Sequence, residues 1–343
     1  MLRMTSILTK NIMNRSFYFE INKKAVLLNF IIIALFCSCT ASSQPYTLHS
    51  PISLSSVSNK TISGYSITGG SKPAILLNNC HDIHITKNLL QNSTASSGII
   101  YLNNCYNIYI DTNLIKNGIR GIFAVNCKDN IRIIYNKILN TADPNISSNG
   151  GGSAIQLNKC NGAGIRIDSN YVYEPIPNIN IGDKISLYQC NGTSSSYIRI
   201  YYNNLRGGST NPAGYAGIVL GDSGYSSYQD AQYNTLCNTG NAGMVIGGGQ
   251  HMIVNNNRIY SAFFTVSAAG IMFFNNSRQY ATYQAPEDIN VNNNVINWSN
   301  FQNKIDNYWF DPKAGIAPNS AGNTQPGKGD YTITNEILPD PLF

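Results

Sequence analysis

The sequence predicts an all-β solenoid of stacked coils, and three observations predict it. Only 12% of the 343 residues are charged while 43% are hydrophobic, so the chain can bury a large core and is not disordered. Glycine (29) and proline (13) are frequent without a Gly-X-Y period, which excludes collagen and fits many turns. Short apolar-x-apolar stretches return at intervals of a few tens of residues, the mark of a repeat architecture rather than of a helical bundle.

The repeat can be written out residue by residue. Ile75, Leu77 and Cys80 are followed by Ile83, Ile85, Asn88 and Leu90. The same spacing returns in Ile100, Leu102, Cys105, Ile108, Ile110, Asn113 and Ile115, and again in Ile122, Ala124, Cys127, Ile131, Ile133, Asn136 and Ile138. Later copies are looser, but the asparagine returns as Asn170, Asn203, Asn234, Asn257 and Asn294. Successive asparagines lie 25, 23, 34, 33, 31, 23 and 37 residues apart. The short intervals match one coil, and the long ones carry loops. Period-two alternation turns the apolar residues inward and the residues between them outward. Stacking at about 4.8 Å makes one continuous core, about 40 Å tall for about nine coils. The equivalent asparagines can then hydrogen-bond to one another and to turn backbone.

In these residues the sequence resembles the right-handed parallel β-helix superfamily, which includes pectate lyases, polygalacturonases and phage tailspikes. The resemblance covers roughly residues 60–300. It implies a solenoid and a polysaccharide substrate on the outward face of the first strand of each coil; it carries no catalytic motif, because members of one fold differ in chemistry.

Ahead of the repeat, Lys23 and Lys24 precede an apolar run that ends in Cys37, Ser38 and Cys39, the layout of a secretory signal too short for a stable membrane span. Cys39, followed by Thr40 and Ala41, resembles a lipobox, so lipidation of Cys39 and ordinary cleavage after Ala41 are both open. Met13 is an alternative start. The expected organisation is export segment 1–39, linker and N-terminal cap 40–59, β-helix 60–300 and irregular C-terminal tail 301–343. The expected location is an outer-membrane lipoprotein or a periplasmic or secreted protein, with membrane contact only through that N-terminal anchor.

Charge divides by segment. Beyond residue 39 the chain carries 18 basic and 16 acidic side chains, too balanced for a nucleic-acid footprint. Cys80, Cys105, Cys127, Cys160 and Cys190 occupy equivalent places in successive coils. Their side chains stack in parallel at the coil spacing, wider than a disulfide's Cβ separation of about 3.8 Å, so free thiols are expected. No cysteine or histidine spacing suggests zinc, and no motif supports calcium, so no cofactor is expected. His251, beside Gly247–Gly249, reads as a corner residue. Trp298 and Trp309 read as packing at the open end of the solenoid.

The inward residues Ile155/Leu157, Ile185/Leu187, Ile218/Leu220 and Met244/Ile246 fix the expected outward face. Gln156, Asn158, Lys184, Ser186, Tyr188, Gly217, Val219, Gly221, Gly243, Val245 and Gly247 are placed on it by alternation. Insertions 141–153, 174–183, 206–216 and 222–229 surround this zone, where a rigid scaffold most often carries function. Lyases of the resembled fold use a Lys or Arg to take a proton next to a uronate carboxylate, which makes Lys184 the candidate base. A hydrolase needs two carboxylates about 5–10 Å apart; Asp222 and Asp230, across the 222–229 insertion, are the candidates. Gln156, Asn158, Tyr188 and Arg206 are the expected substrate contacts. The leading expectation is an exported protein that cleaves a polysaccharide as lyase or hydrolase; the alternative is a non-catalytic glycan-binding or adhesive solenoid. Partners are thus a cell-surface glycan and not nucleic acid, with oligomeric state open.

Overall fold

The computed structural model describes residues 46–142, 152–174, 182–208, 215–223, 225–262, 266–275, 285–312 and 316–324. They lie in the compact unit Pro45–Pro341; the export segment with Cys39 lies outside the described residues. These residues form 29 strands in three parallel sheets, with no helix among them. The protein is an all-β, right-handed parallel β-helix.

Each coil contributes a strand to sheet 1, turns a corner into sheet 2, turns again into sheet 3 and returns to sheet 1 one level up. Sheet 1 runs from Ile52–Ser55 to Tyr308–Phe310 in ten strands, sheet 2 from Ser58–Ser63 to Glu287–Asn292 in nine, and sheet 3 from Thr47–His49 to Val295–Trp298 in ten. The solenoid therefore begins at Thr47, within the segment expected to be linker and cap. It also continues past residue 300: Tyr308, Trp309 and Phe310 pair with Ile271, Met272 and Phe273.

The core is set by register. Ile75 stands over Ile100, Ile100 over Ile122, Ile122 over Ile155 and Ile155 over Ile185, all with no exposed surface. Stacked β-branched side chains fit the pleat of a sheet and fill the interior without gaps. Two of the three corners of a coil recur with a shared backbone conformation and a shared buried residue. At the first, a residue in the left-handed region (Asn79, Asn104, Asn126, Lys159, Gln189) precedes a buried cysteine. At the second, another (Lys87, Thr112, Tyr135, Ser169, Tyr202, Tyr233, Asn256, Asn293) precedes the ladder asparagine. Outside glycine that conformation costs roughly 1–2 kcal/mol per residue, so each corner must be held by bonds from the residue after it.

At the second corner those bonds form a continuous amide column. Each ladder asparagine donates its backbone N–H and its Nδ2 to the Oδ1 of the asparagine one coil on, from Asn88 to Asn113 at one end to Asn294 to Asn323 at the other. Asn323 is a ninth rung beyond the eight visible in the sequence repeat. The six cysteines of the described coils are buried free thiols; Cys80, Cys105, Cys127, Cys160 and Cys190 occupy equivalent corners, whereas Cys237 ends the sheet 3 strand Thr235–Cys237.

Candidate functional site

The outward face of sheet 1 is built by two registered rows. In the first, Phe123, Gln156, Ser186, Val219, Val245, Met272 and Trp309 follow one another up the stack. In the second, Val125, Asn158 and Tyr188 do so, and Asp222 follows Tyr188 across a register shift between Ser186 and Tyr188. Alternation thus places Gln156, Asn158, Ser186 and Tyr188 on the outer face, as expected. Tyr101 tilts against Phe123 with ring centroids 5.7 Å apart, and Arg120 lies over the Phe123 ring. Arg120 Nε donates to Gln156 Oε1 at 2.9 Å, and Gln156 Nε2 donates to Asn158 Oδ1 at 3.1 Å. These bonds hold two amides in fixed orientation beside two aromatic rings. Further up, Ser186 and Val219 are buried although they point outward, and Val219 packs with Ala216, Val245 and Met272 in a small apolar patch.

Lys184 departs from the expectation. It is 1% exposed, and its Nζ donates to the carbonyls of Gly182 at 3.4 Å and Thr239 at 3.2 Å. Alternation fails here because the strand proper starts at Ile185, and the residue just before each sheet 1 strand turns into the corner with sheet 3. Ala74, Ile99 and Ala154 fill that place in earlier coils and are buried. Gly217 and Gly243, second residues of the longer strands Ala216–Asp222 and Ala242–Ile246, stand in register with it and are likewise not outward: a Cβ there would come within 2.4 Å of Leu236 or Ile259 side chains. The row of small and apolar residues ahead of each strand was the signal, in the sequence, that this place faces inside.

Lys184 shares its corner with Glu174 and Asp183. The Glu174 carboxylate is completely buried and accepts hydrogen bonds from the backbone N–H and hydroxyl of Thr141. Burial pushes its carboxyl up to about 7, against the Thr141 bonds and the Lys184 charge. Asp183 Oδ1 accepts the Ala216 N–H at 2.8 Å. Burial raises it to about 7, opposed by that bond, while Asp222 adds to the rise and Lys184 resists it. Burial lowers Lys184 to about 8, opposed by Glu174 and then Asp183. The cluster is a compensated set of buried charges, not an exposed base.

The two carboxylates expected to form a hydrolytic pair stand on different sheets. Asp222 ends the sheet 1 strand Ala216–Asp222, and burial raises its carboxyl. Asp230 lies in the sheet 2 strand Ser227–Gln232, accepting from the Tyr201 hydroxyl and from Gln232 Nε2. Burial raises Asp230 as well, yet neither carboxylate is among the charges that shift the other. Arg206 belongs to sheet 3, beside Cys237, away from the row formed by Gln156 and Tyr188. His251 occupies a left-handed corner, stacked on Tyr228 at 4.5 Å and paired with Asp288. The expected walls 141–153, 174–183 and 206–216 lie partly outside the described residues. Among the described residues no group of three metal-ligating side chains occurs.

Comparison with protein families, with curated proteins and with solved structures finds no match to this chain.

Proposed function

We propose that this is an exported, pectate-lyase-like β-helix protein that holds a polysaccharide along the outer face of sheet 1, anchored at Cys39 after signal removal. The observation that carries this reading is the registered succession of rings, oriented amides, a phenol and a carboxylate: Tyr101, Phe123, Gln156, Asn158, Tyr188 and Asp222. Aromatic faces stack on sugar rings, and fixed amides give directional bonds to hydroxyls. A parallel stack repeats such groups about every 4.8 Å, so an extended chain can contact several coils at once. Binding without cleavage is the favoured form, because Lys184 is enclosed and Asp222 and Asp230 occupy separate faces.

A second reading, glycoside hydrolysis, rests on Asp183, whose carboxyl burial raises to about 7 with Asp222 adding to the rise, although the two stand at opposite ends of the paired strands Ile185–Tyr188 and Ala216–Asp222. A carboxyl near 7 suits a general acid.

A panel of neutral and uronate-containing glycans tests both, with affinity, reducing ends and absorbance of unsaturated products read together. Retention of at least one glycan, weakened about tenfold or more by Tyr188→Ala or Gln156→Ala with no product released, supports binding. Reducing ends that disappear in Asp183→Asn replace it by hydrolysis. Unsaturated products replace it by elimination. Absence of retention on every glycan overturns the reading.

A further inference from the structure

The outer face of sheet 2 holds an imbalance that the sheet 1 site does not use. One outward row reads His84, Tyr109, Arg132, Arg166, Arg199 and Asp230 in unbroken register. Three guanidinium groups therefore stand on adjacent parallel strands. Like charges directly opposite destabilise a sheet, so such a row calls for compensating anions.

The carboxylates of this face are engaged elsewhere. Asp168 accepts Arg199 Nε at 2.8 Å and the Tyr201 N–H, so Arg199 is neutralised. Asp111 accepts from His84 Nε2 at 2.9 Å and from the Thr86 hydroxyl. Asp82 is taken by His81 and by Asn107 Nδ2. Arg132 and Arg166 are exposed and have no hydrogen bond or ion pair among the described residues. An open trough of about 400 Å³ reaches Arg132 and is lined also by Lys60, His84, Asn107, Tyr109 and Asp82, the last held by His81 and Asn107.

We propose that Arg132 and Arg166, with Lys60 and the Tyr109 ring, form a second glycan-binding strip on sheet 2, specific for an acidic polysaccharide bearing carboxylate or sulfate groups. Guanidinium forks bind such planar or tetrahedral oxyanions in pairs. The trough crosses four strands and ends at Arg132, with Arg166 one strand further along the same row, so a polymer lying along the rod meets the Tyr109 ring, Arg132 and Arg166 in turn while Lys60 lines the far end of the trough. Two unmatched arginines bordered by Asp82 and Asp111 suit a chain with spaced charges. They do not suit the dense phosphates of a nucleic acid, for which the chain beyond residue 39 also lacks the charge. This strip stands on its own observations and does not depend on the sheet 1 reading.

The test uses the full chain, and affinity for polygalacturonate, chondroitin sulfate, dextran and duplex DNA is measured at low and moderate salt. The expected result is salt-sensitive binding to polygalacturonate, chondroitin sulfate or both, the stronger one telling carboxylate from sulfate. Arg132→Gln/Arg166→Gln lowers it tenfold or more and leaves the melting temperature unchanged or raised, since a repulsion is removed. Tyr188→Ala leaves this binding intact, whatever it does to glycans on sheet 1. The proposal is overturned if neither acidic polymer binds, if the double variant binds them like wild type, if it loses dextran to the same degree, or if DNA binds more tightly through the same arginines.

Discussion

Asn113 and Asn136 are joined twice: the Oδ1 of Asn136 accepts the backbone N–H of Asn113 at 3.1 Å and its Nδ2 at 3.0 Å. Asn136 in turn donates Nδ2 to the carbonyls of Ile110 and Ile134 and to Asn170 Oδ1. One side chain thus satisfies the N–H of the coil below and binds carbonyls of two adjacent sheet 2 strands, one in its own coil and one in the coil below.

Replacing Asn136 by Leu removes these partners while keeping the site filled. The Asn113 N–H and the Ile110 carbonyl lose their side-chain partner, and each orphaned buried group costs about 1–3 kcal/mol. A clear fall in the denaturation midpoint is expected by calorimetry; an unchanged midpoint would show that the rung bears no weight.

Lys184→Ala is expected to destabilise the fold by about 3–5 kcal/mol, because it strands buried carboxylates without their cation. Adding Glu174→Gln should recover part of the loss. Chemical denaturation of the single and double variants measures it, and a single variant within error of wild type would contradict the enclosed geometry.

The same corner sets a pH dependence. Asp183 rises from 3.8 to about 7 on folding, so between those values the folded chain keeps a proton that the unfolded chain has lost. Stability from this group is therefore full below pH 3.8 and declines as pH rises towards about 7. Lys184 falls from 10.5 to about 8, so its contribution runs the other way, with stability regained as pH rises from about 8 to 10.5. Glu174, raised from 4.5 to about 7, adds to the same lower limb, so in a pH series of midpoints Asp183→Asn should make that limb shallower without abolishing it; because Asp183 also helps to hold the Lys184 charge, the upper limb should extend to lower pH.

Although its hydrogen bond with Cys105 lowers it, the Cys160 thiol and burial raise Cys127 to about 12, so it is un-ionised at neutral pH. Folded protein should resist alkylation at Cys80, Cys105, Cys127, Cys160 and Cys190, and all five should react once unfolded. Recovery of a Cys80–Cys105 or Cys127–Cys160 disulfide peptide by mass spectrometry would contradict the stack.

Residues that repeat were readable from sequence, and residues that break the repeat were not. The asparagine ladder and the thiols were legible because one physical demand, a bonded corner, recurs in every coil. Lys184 was misplaced because alternation holds only inside a strand, and its place lies at the loop-to-strand junction. The arginine row escaped notice because Arg132, Arg166 and Arg199 are far apart in the chain. Each nonetheless falls four residues before a ladder asparagine, Asn136, Asn170 and Asn203, so counting back from the ladder would have aligned them. Sheet 3 blurred into the repeat because its strand starts directly after the asparagine.

Spacings of 23 to 37 residues all end in the same pair of amide bonds, so a rung bears no mark of which coil it belongs to. Excising residues 114–136 would bring Asn113 against Asn170, with donors and acceptors identical to those it meets now. In-frame duplication of a coil would be equally silent at the ladder. The number of coils is consequently free to drift through duplication and deletion without rewriting the core, and any selection on length acts through the outer faces and not through the ladder. Among the described residues the two ends are chemically distinct: Gly64 takes the corner ahead of Tyr65, whose N–H donates to Asn88, and Asn323 is the final rung of the ladder.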